Sequence, residues 1–337
     1  MNSDFRVEST RGDLVESVHR VSLAVVDSDG RLMAEAGNPE LITFWRSAAK
    51  PFQAMPVLAD GAAERFRLDL RELALICASH SSEPAHLDVA DSLLRKLGVP
   101  EQALACGPHP ALSPVVAEQV LRHGTVMSPR WSNCSGKHAG MLALALAHGW
   151  PIAGYERREH PVQQRVLKEV ERWTSVPAAE IHLGVDGCTV VCFGLTLRSM
   201  ALAYARFGVS EEAAAVRLRA AVAAYPDIVA GHGRLCTDLL AATAGVAFAK
   251  VGADGVYCAT LPRAGLGIAL KVEDGDMRSS APALLGVLRA LAERVRLGFD
   301  PSAWPESVTR HEELATVNTR GTRTGALRAA GTLRFPA

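Results

Sequence analysis

A serine and a lysine stand three positions apart at Ser47 and Lys50, inside the run F-W-R-S-A-A-K-P-F-Q-A-M-P-V-L-A from Phe44 to Ala59. On a helix that spacing puts both side chains on one face, one turn apart. A partly desolvated lysine gives up its proton more readily than one in water. It can then take the proton of a serine hydroxyl, which is otherwise a poor nucleophile near neutral pH. Ser-x-x-Lys is therefore a compact acylating device that needs no histidine. Alone the motif is weak, because many helices carry it by chance and an exposed pair is only a solvated face. The setting here favours chemistry. Ser47 precedes the apolar residues Phe52, Met55, Val57 and Leu58, and Lys50 is followed at once by Pro51 and Phe52.

Three further stretches carry reactive types. Ser79-His80-Ser81 is one. Asn133–His138 together with Asp186-Gly187-Cys188 is another. Lys250-Val251-Gly252-Ala253-Asp254-Gly255 is the third. Lys-x-Gly on a strand sets an ammonium beside a backbone that can be approached closely, since glycine has no side chain in the way. An early Ser-x-x-Lys with a late Lys-x-Gly is the order of acyl-serine enzymes of the β-lactamase type.

The elements that must position these residues can be read in order. Two apolar runs between Val18 and Ala36 flank Asp29-Gly30, a hairpin signal. The helix opened by Ser47 follows, with Pro56 expected to kink or shorten it unless packing compensates. Helices are expected at Leu68–Ala78 and at about Pro84–Leu97, the second with Ser82 as cap and Gly98 as stop. Residues 100–130 read as loop with a short helix near 114–122. The run opened by Ser132–His138 is apolar nearly all round, so its helix should be buried. An amphipathic helix at 157–174, a turn at Val185–Cys188, and helices at about 211–224 and 234–245 come next. Phe248–Ala259 and Gly265–Lys271 read as strands with Asp-Gly turns, and Ala281–Arg296 as a helix. Strands at both ends with helices between predict an α+β fold: one antiparallel sheet from about 15–40 and 245–335, and a helical region at about 45–245. The whole chain is expected to be a single domain.

Bulk properties exclude several classes. Lys+Arg and Asp+Glu are both 36, so no overall charge points to nucleic acid or to a membrane surface. At 48% hydrophobic and 21% charged the composition is that of a globular protein, with no apolar run long enough to span a bilayer. The polar N-terminus shows no secretory signal, which predicts the cytoplasm. The seven scattered cysteines are then expected to be free thiols or metal ligands rather than disulfides.

Taken together, the motifs resemble the L-asparaginase II family, the Rhizobium-type (class 3) asparaginases. They are S-A-A-K-P-F-Q (47–53), C-A-S-H-S-S-E (77–83), N-C-S-G-K-H-A-G-M-L (133–142), G-V-D-G-C (184–188) and K-V-G-A-D-G-V (250–256), and they span nearly the whole chain. The resemblance implies a serine β-lactamase/glutaminase-like fold with a central antiparallel sheet flanked by helices, a homodimer, and hydrolysis of L-asparagine to L-aspartate and ammonia. By position it implies Ser47 as nucleophile with Lys50 as its base, and Ser79 as a second catalytic serine paired with Lys250. Lys271, on a neighbouring strand, could compete with Lys250 for that place. It implies zinc held by Cys134, Lys137 and Cys188; two thiolates suit zinc, and a lysine can ligate only when neutral. Arg46, His80, Asn133, His138, Asp186, Gly252 and Gly255 would line the substrate pocket. An arginine and an aspartate are the groups that match an α-carboxylate and an α-amino group.

Blander readings stand beside these. Cys134 and Cys188 could be buried apolar thiols, His80 and His138 structural hydrogen-bonding groups, and Asp186 part of a turn. The same fold could serve a glutaminase, an esterase or a penicillin-recognising enzyme, since one methylene changes discrimination only modestly. A zinc-bound amino-acid sensor on a retired enzyme scaffold is the non-catalytic alternative.

Overall fold

The computed structural model describes residues 4–336. Its strands are β1 Arg6–Arg11, β2 Leu14–Asp27, β3 Leu32–Ala36, β4 Ile42–Phe44, β5 His182–Val185, β6 Val191–Thr196, β7 Phe248–Val251, β8 Val256–Leu261, β9 Leu266–Val272, β10 Glu313–Val317 and β11 Arg323–Ala330. Its helices are α1 Lys50–Ala59, α2 Ala62–Arg65, α3 Leu70–Ile76, α4 Pro84–Leu97, α5 Pro114–His123, α6 Ser135–His148, α7 Pro161–Thr174, α8 Leu197–Val209, α9 Ala213–Ala224, α10 Pro226–Val229, α11 Leu235–Ala242, α12 Ser280–Ala292 and α13 Glu306–Thr309. No helix among the described residues is long and apolar enough to cross a membrane.

The chain divides into two compact units. One, the sheet unit, comprises the residues up to Ala48, Gly194–Val209, and those from Asp238 on. The other, the helical unit, comprises Ala49–Phe193 and Ser210–Thr237. The division falls between Ser47 and Lys50.

The sheet unit is built on eight strands in the order β10-β11-β1-β2-β9-β8-β7, with β3 also paired to β2, and every pairing is antiparallel. The terminal strands meet, with Val7 opposite Ala329. β2 is long enough to serve two neighbourhoods. Its first half pairs with β1 and is mostly exposed, while Val21–Val26 are buried between β3 and β9. The Asp29-Gly30 hairpin sits where the sequence predicts it, with Gly30 in the left-handed region. Helix α8 has no counterpart in the sequence reading. Ala201 and Ala205, one turn apart, bring its backbone onto β9. A Cβ at Gly267 of β9 would lie 2.0 Å from the Ala201 carbonyl oxygen, so only glycine lets the two backbones approach this closely.

The helical unit is centred on α1 and α6. Lys50 through Leu58 of α1 are all buried, and the Phe52 ring meets Trp173 of α7 at 5.9 Å between centroids. Burying Phe52, Met55 and Leu58 contributes roughly 2 kcal/mol each. Pro56 does not end the helix, because α1 runs on to Ala59. α6 is buried from Ser135 to Ala145, as its all-round apolar pattern requires. Two local expectations are corrected. Ser47 lies in a 3₁₀ turn over Arg46–Ala49 and α1 begins only at Lys50. The cap of α4 is Glu83, whose N–H donates to His86 Nδ1 at 3.1 Å, while Ser82 takes a left-handed φ of 59°.

Candidate functional site

In the sheet unit the turn that carries Ser47 is fixed at four points. The buried Trp45 indole N–H donates to Cys258 Sγ on β8 at 3.3 Å. The Tyr204 hydroxyl of α8 donates to the Ala48 carbonyl at 2.7 Å. A Cβ at Gly252 would lie 2.9 Å from the Trp45 carbonyl oxygen, so the end of β7 rests against this segment only because residue 252 is glycine. Arg46 holds a left-handed φ of 52°, and its guanidinium pairs with the Asp254 carboxylate. Cys258 is fully buried, which pushes its thiol up to about 12.

Lys250 lies on β7 in the same unit, wholly buried, opposite Cys258 in the ladder, with its amine 3.1 Å from the Val251 carbonyl. Lys271 differs. It is only half-buried on β9, and its amine donates to the Asp254 carbonyl. Burial lowers its pKa against the opposing pull of Asp254 and Asp274. Gly252 and Gly255, expected near substrate, already use their amides locally: Gly252 N–H donates to the Val256 carbonyl at 2.8 Å and Gly255 N–H to Met277 Sδ at 3.2 Å.

In the helical unit the arrangement is one of buried polar side chains. The Lys50 amine donates to Ser79 Oγ at 3.0 Å, to the Asn133 carbonyl at 3.2 Å and to the Ala78 carbonyl. Ser79 N–H donates to the Val229 carbonyl at 3.0 Å, and Arg234 donates to the Ser79 carbonyl. The Ser79–Ser82 turn is closed by Ser81 Oγ to the Ala230 carbonyl (2.8 Å) and Ser82 Oγ to the Trp131 carbonyl (2.7 Å). The Asn133 backbone is held from both sides. Its carbonyl accepts from His80 N–H at 3.3 Å, and its own N–H donates to His109 Nε2 at 2.7 Å.

His80 is wholly buried, bonded through Nε2 to Ser135 Oγ at 2.9 Å and stacked on His86. Burial, reinforced by the nearby cationic groups Lys50 and Arg234, holds it well below the usual imidazole range. His138 is likewise held low by burial and then by Lys137 and Lys50. Its Nδ1 meets the Tyr155 hydroxyl at 2.5 Å, and its buried Nε2 has no hydrogen-bond partner among the described residues.

Cys134, Lys137 and Cys188 converge. Lys137 Nζ lies 2.8 Å from Cys188 Sγ, and Asp186 Oδ2 lies 4.0 Å from the same sulfur. A hydrogen bond from Cys188, with Lys50 and Lys137 nearby, pulls Cys134 well below the usual thiol range despite burial. The same bond and burial push Cys188 up. The Lys137 amine is raised, because the two sulfurs and Asp186 outweigh its burial. Two soft sulfur donors suit a zinc ion by donor chemistry, whereas the Lys137 amine would have to lose its proton to join them. Among the described residues no group of three or more His, Cys, Asp or Glu side chains could hold a metal. A metal here therefore depends on the lysine as third donor. All seven cysteines are free and buried.

Sequence reasoning missed Tyr155, Arg234, His109 as a holder of Asn133, and the Trp45–Tyr204 anchoring of Ser47. Arg234 had a signal, because G-H-G-R at 231–234 marks a tight turn. Tyr155 and Tyr204 had none, since their partners are 17 and 156 residues away.

A profile of the family described as L-asparaginase II matches residues 7–329. No curated protein matches the chain. Among solved structures, a candidate β-lactamase from Bacteroides dorei is 14% identical, covers 75% of this chain and 85% of its own, and has a TM-score of 0.39. A β-lactamase from Mycobacterium bovis is 13% identical, covers 76% and 88%, and has a TM-score of 0.32.

Proposed function

The chain belongs to the L-asparaginase II family of asparaginase-type hydrolases, and from that membership we propose that it hydrolyses L-asparagine to L-aspartate and ammonia through a serine acyl-enzyme. The observation that carries the reading is the family match from residue 7 to residue 329. The buried Lys50–Ser79 hydrogen bond at 3.0 Å supports the serine–lysine part of it.

In this reading Ser47 Oγ attacks the side-chain amide carbon while Lys50 accepts the hydroxyl proton. The backbone N–H of Ser47 and one from the 250–255 turn stabilise the oxyanion. Lys50 hands the proton through Ser79 Oγ to the amide nitrogen. The C–N bond then breaks, ammonia leaves, and a β-aspartyl ester remains on Ser47. Water gives a proton to the Ser79–Lys250 pair and attacks the ester. The ester C–O bond breaks, Ser47 recovers its proton, and L-aspartate departs. Arg46 takes the α-carboxylate and Asp186 the α-amino group, with His80, Asn133 and His138 lining the pocket. Zinc held by Cys134, Lys137 and Cys188 would supply positive charge that orients the substrate when bound. The protein is proposed to act in the cytoplasm as a homodimer.

Ammonia release from L-asparagine, L-glutamine and a chromogenic β-lactam, side by side, tests the substrate. Release chiefly from L-asparagine is expected, and release chiefly from L-glutamine overturns that choice. Ser47→Ala should lose at least about a thousandfold in kcat. Near-full activity in that variant would sink the mechanism.

A further inference from the structure

Two non-glycine residues of the sheet unit hold left-handed backbone and pair with each other: Arg46 at φ 52° and Asp254 at φ 56°. Left-handed backbone is costly for an arginine, so something in the surroundings must enforce it. The Asp254 side chain is 65% exposed, and an exposed ion pair is ordinarily worth little. Stability is therefore a weak reason for this one.

Asp254 sits on the Gly252–Gly255 turn between β7 and β8, and that turn is pinned. Lys271 of β9 donates to the Asp254 carbonyl, Gly255 is left-handed with its N–H on Met277, and Gly252 rests against the Trp45 carbonyl. A turn held at three points does not swing aside to release its partner. Arg46 adjoins Ser47, whose turn is anchored by Trp45 and Tyr204. The side chain in this segment with many rotamers is Arg46, and its ion pair with Asp254 helps to hold its direction. A guanidinium has five N–H donors in a rigid fork, enough to serve two carboxylates at once.

We infer that Asp254 is a positioning residue: its carboxylate orients Arg46 so that the guanidinium meets the α-carboxylate of an amino-acid substrate. This rests on the proposed role of Arg46. It adds that carboxylate recognition is set by a residue that does not touch substrate, 208 positions away in the chain. The opposite reading, in which Asp254 competes with substrate for Arg46, predicts the reverse effect on KM when Asp254 is neutralised.

Asp254→Asn tests it, because asparagine adopts left-handed backbone readily and the substitution isolates the charge. KM and kcat are measured with L-asparagine. The same variant is then assayed with 3-aminopropanamide, which keeps the amide and the amine but lacks the α-carboxylate, as a substrate or as a competitive inhibitor. The expected result is a KM for L-asparagine raised about tenfold, kcat within about twofold, and an unchanged constant for 3-aminopropanamide. An unchanged or lowered KM for L-asparagine overturns the inference, the lowered value in favour of competition. Equal losses with both compounds overturn it in favour of a merely structural role. Wild-type protein that releases no ammonia from L-asparagine sinks the functional reading first and this inference with it, a failure visible before any substitution is made.

Discussion

The two serines are held in contrasting ways. Ser47, in the sheet unit, is placed through its neighbours and the backbone: a 3₁₀ turn, a left-handed Arg46, a glycine that lets β7 close against Trp45, and anchors from Trp45 and Tyr204, with no hydrogen bond on its own hydroxyl among the described residues. Ser79, in the helical unit, is placed by buried side chains: a lysine amine on its hydroxyl, an arginine on its carbonyl, and a chain of serine and histidine bonds behind them. A site held by close backbone approach fails when a Cβ is added. A site held by buried hydrogen bonds fails when one donor is removed, because the partners left behind stay dry and unpaired.

Lys50→Met is the strongest way to break this contrast. Replacing a buried charge by an apolar isostere can be neutral where its partners are removed too. Here Ser79 Oγ and the carbonyls of Ala78 and Asn133 remain and lose their donor. Stability should fall by about 3 kcal/mol, read from the urea midpoint. Hydrolysis should fall about a thousandfold if Lys50 is the proton acceptor proposed above. A Lys50→Met protein with wild-type midpoint and activity within tenfold would show that the buried bonds do not hold the serine.

Gly252→Ala tests the other side. The new Cβ would meet the Trp45 carbonyl oxygen at 2.9 Å and Val256 Cβ at 3.0 Å, and no flexible side-chain end is there to yield. Relaxation has to displace the turn bearing Ser47. The expected cost is about 2 kcal/mol in stability. About tenfold in kcat should be lost as well, as a small displacement of a nucleophile produces. If the variant keeps kcat while losing stability, the close approach matters for folding and not for placing the serine.

The same contrast explains what the sequence could tell. Residues whose role depends on near neighbours were legible. The Asp29-Gly30 hairpin, the all-apolar α6 and Gly98 at the end of α4 each follow from spacing or local conformation. What was illegible is long-range. Spacing paired Lys50 with Ser47, yet its amine reaches Ser79, 29 positions on, because α1 carries it to the end of α3. Helix α8 escaped notice because its short alanines read as neither face nor core until Gly267 is seen beneath them. β10 and β11 fall within the sheet expected over 245–335, but the sequence does not mark them as separate strands. Their alternation is weak, and β11 is ordered by pairing with β1 at the other end of the chain. Ser82 was expected to cap α4 because serine favours that place, but its hydroxyl is committed to the Trp131 carbonyl and Glu83 takes the position.

The smallest effect lies where the two units are alike. Each carries one carboxylate clasped by an arginine and a histidine: Asp60 by Arg165 and His148 in the helical unit, Asp238 by Arg310 and His311 in the sheet unit. Burial would raise both acids, but the hydrogen bonds and charges outweigh it, so both end below the ordinary carboxylate range. A carboxyl depressed in the folded state contributes stability at pH values above its unfolded pKa, near 4, and loses it as the pH falls through the folded value. Both carboxylates are largely covered, with side chains 15% and 11% exposed, but their arginine partners reach solvent, so each contribution should be about 1 kcal/mol. Asp60→Asn and Asp238→Asn should therefore lower the urea midpoint slightly at pH 7, and the gap from wild type should begin to narrow below about pH 4 and close as the pH falls through the folded value. A gap that does not narrow as the pH falls below about 4 would assign the loss to packing rather than charge. A gap in one variant only would mean that the two units differ in their electrostatics as well as in how they hold a serine.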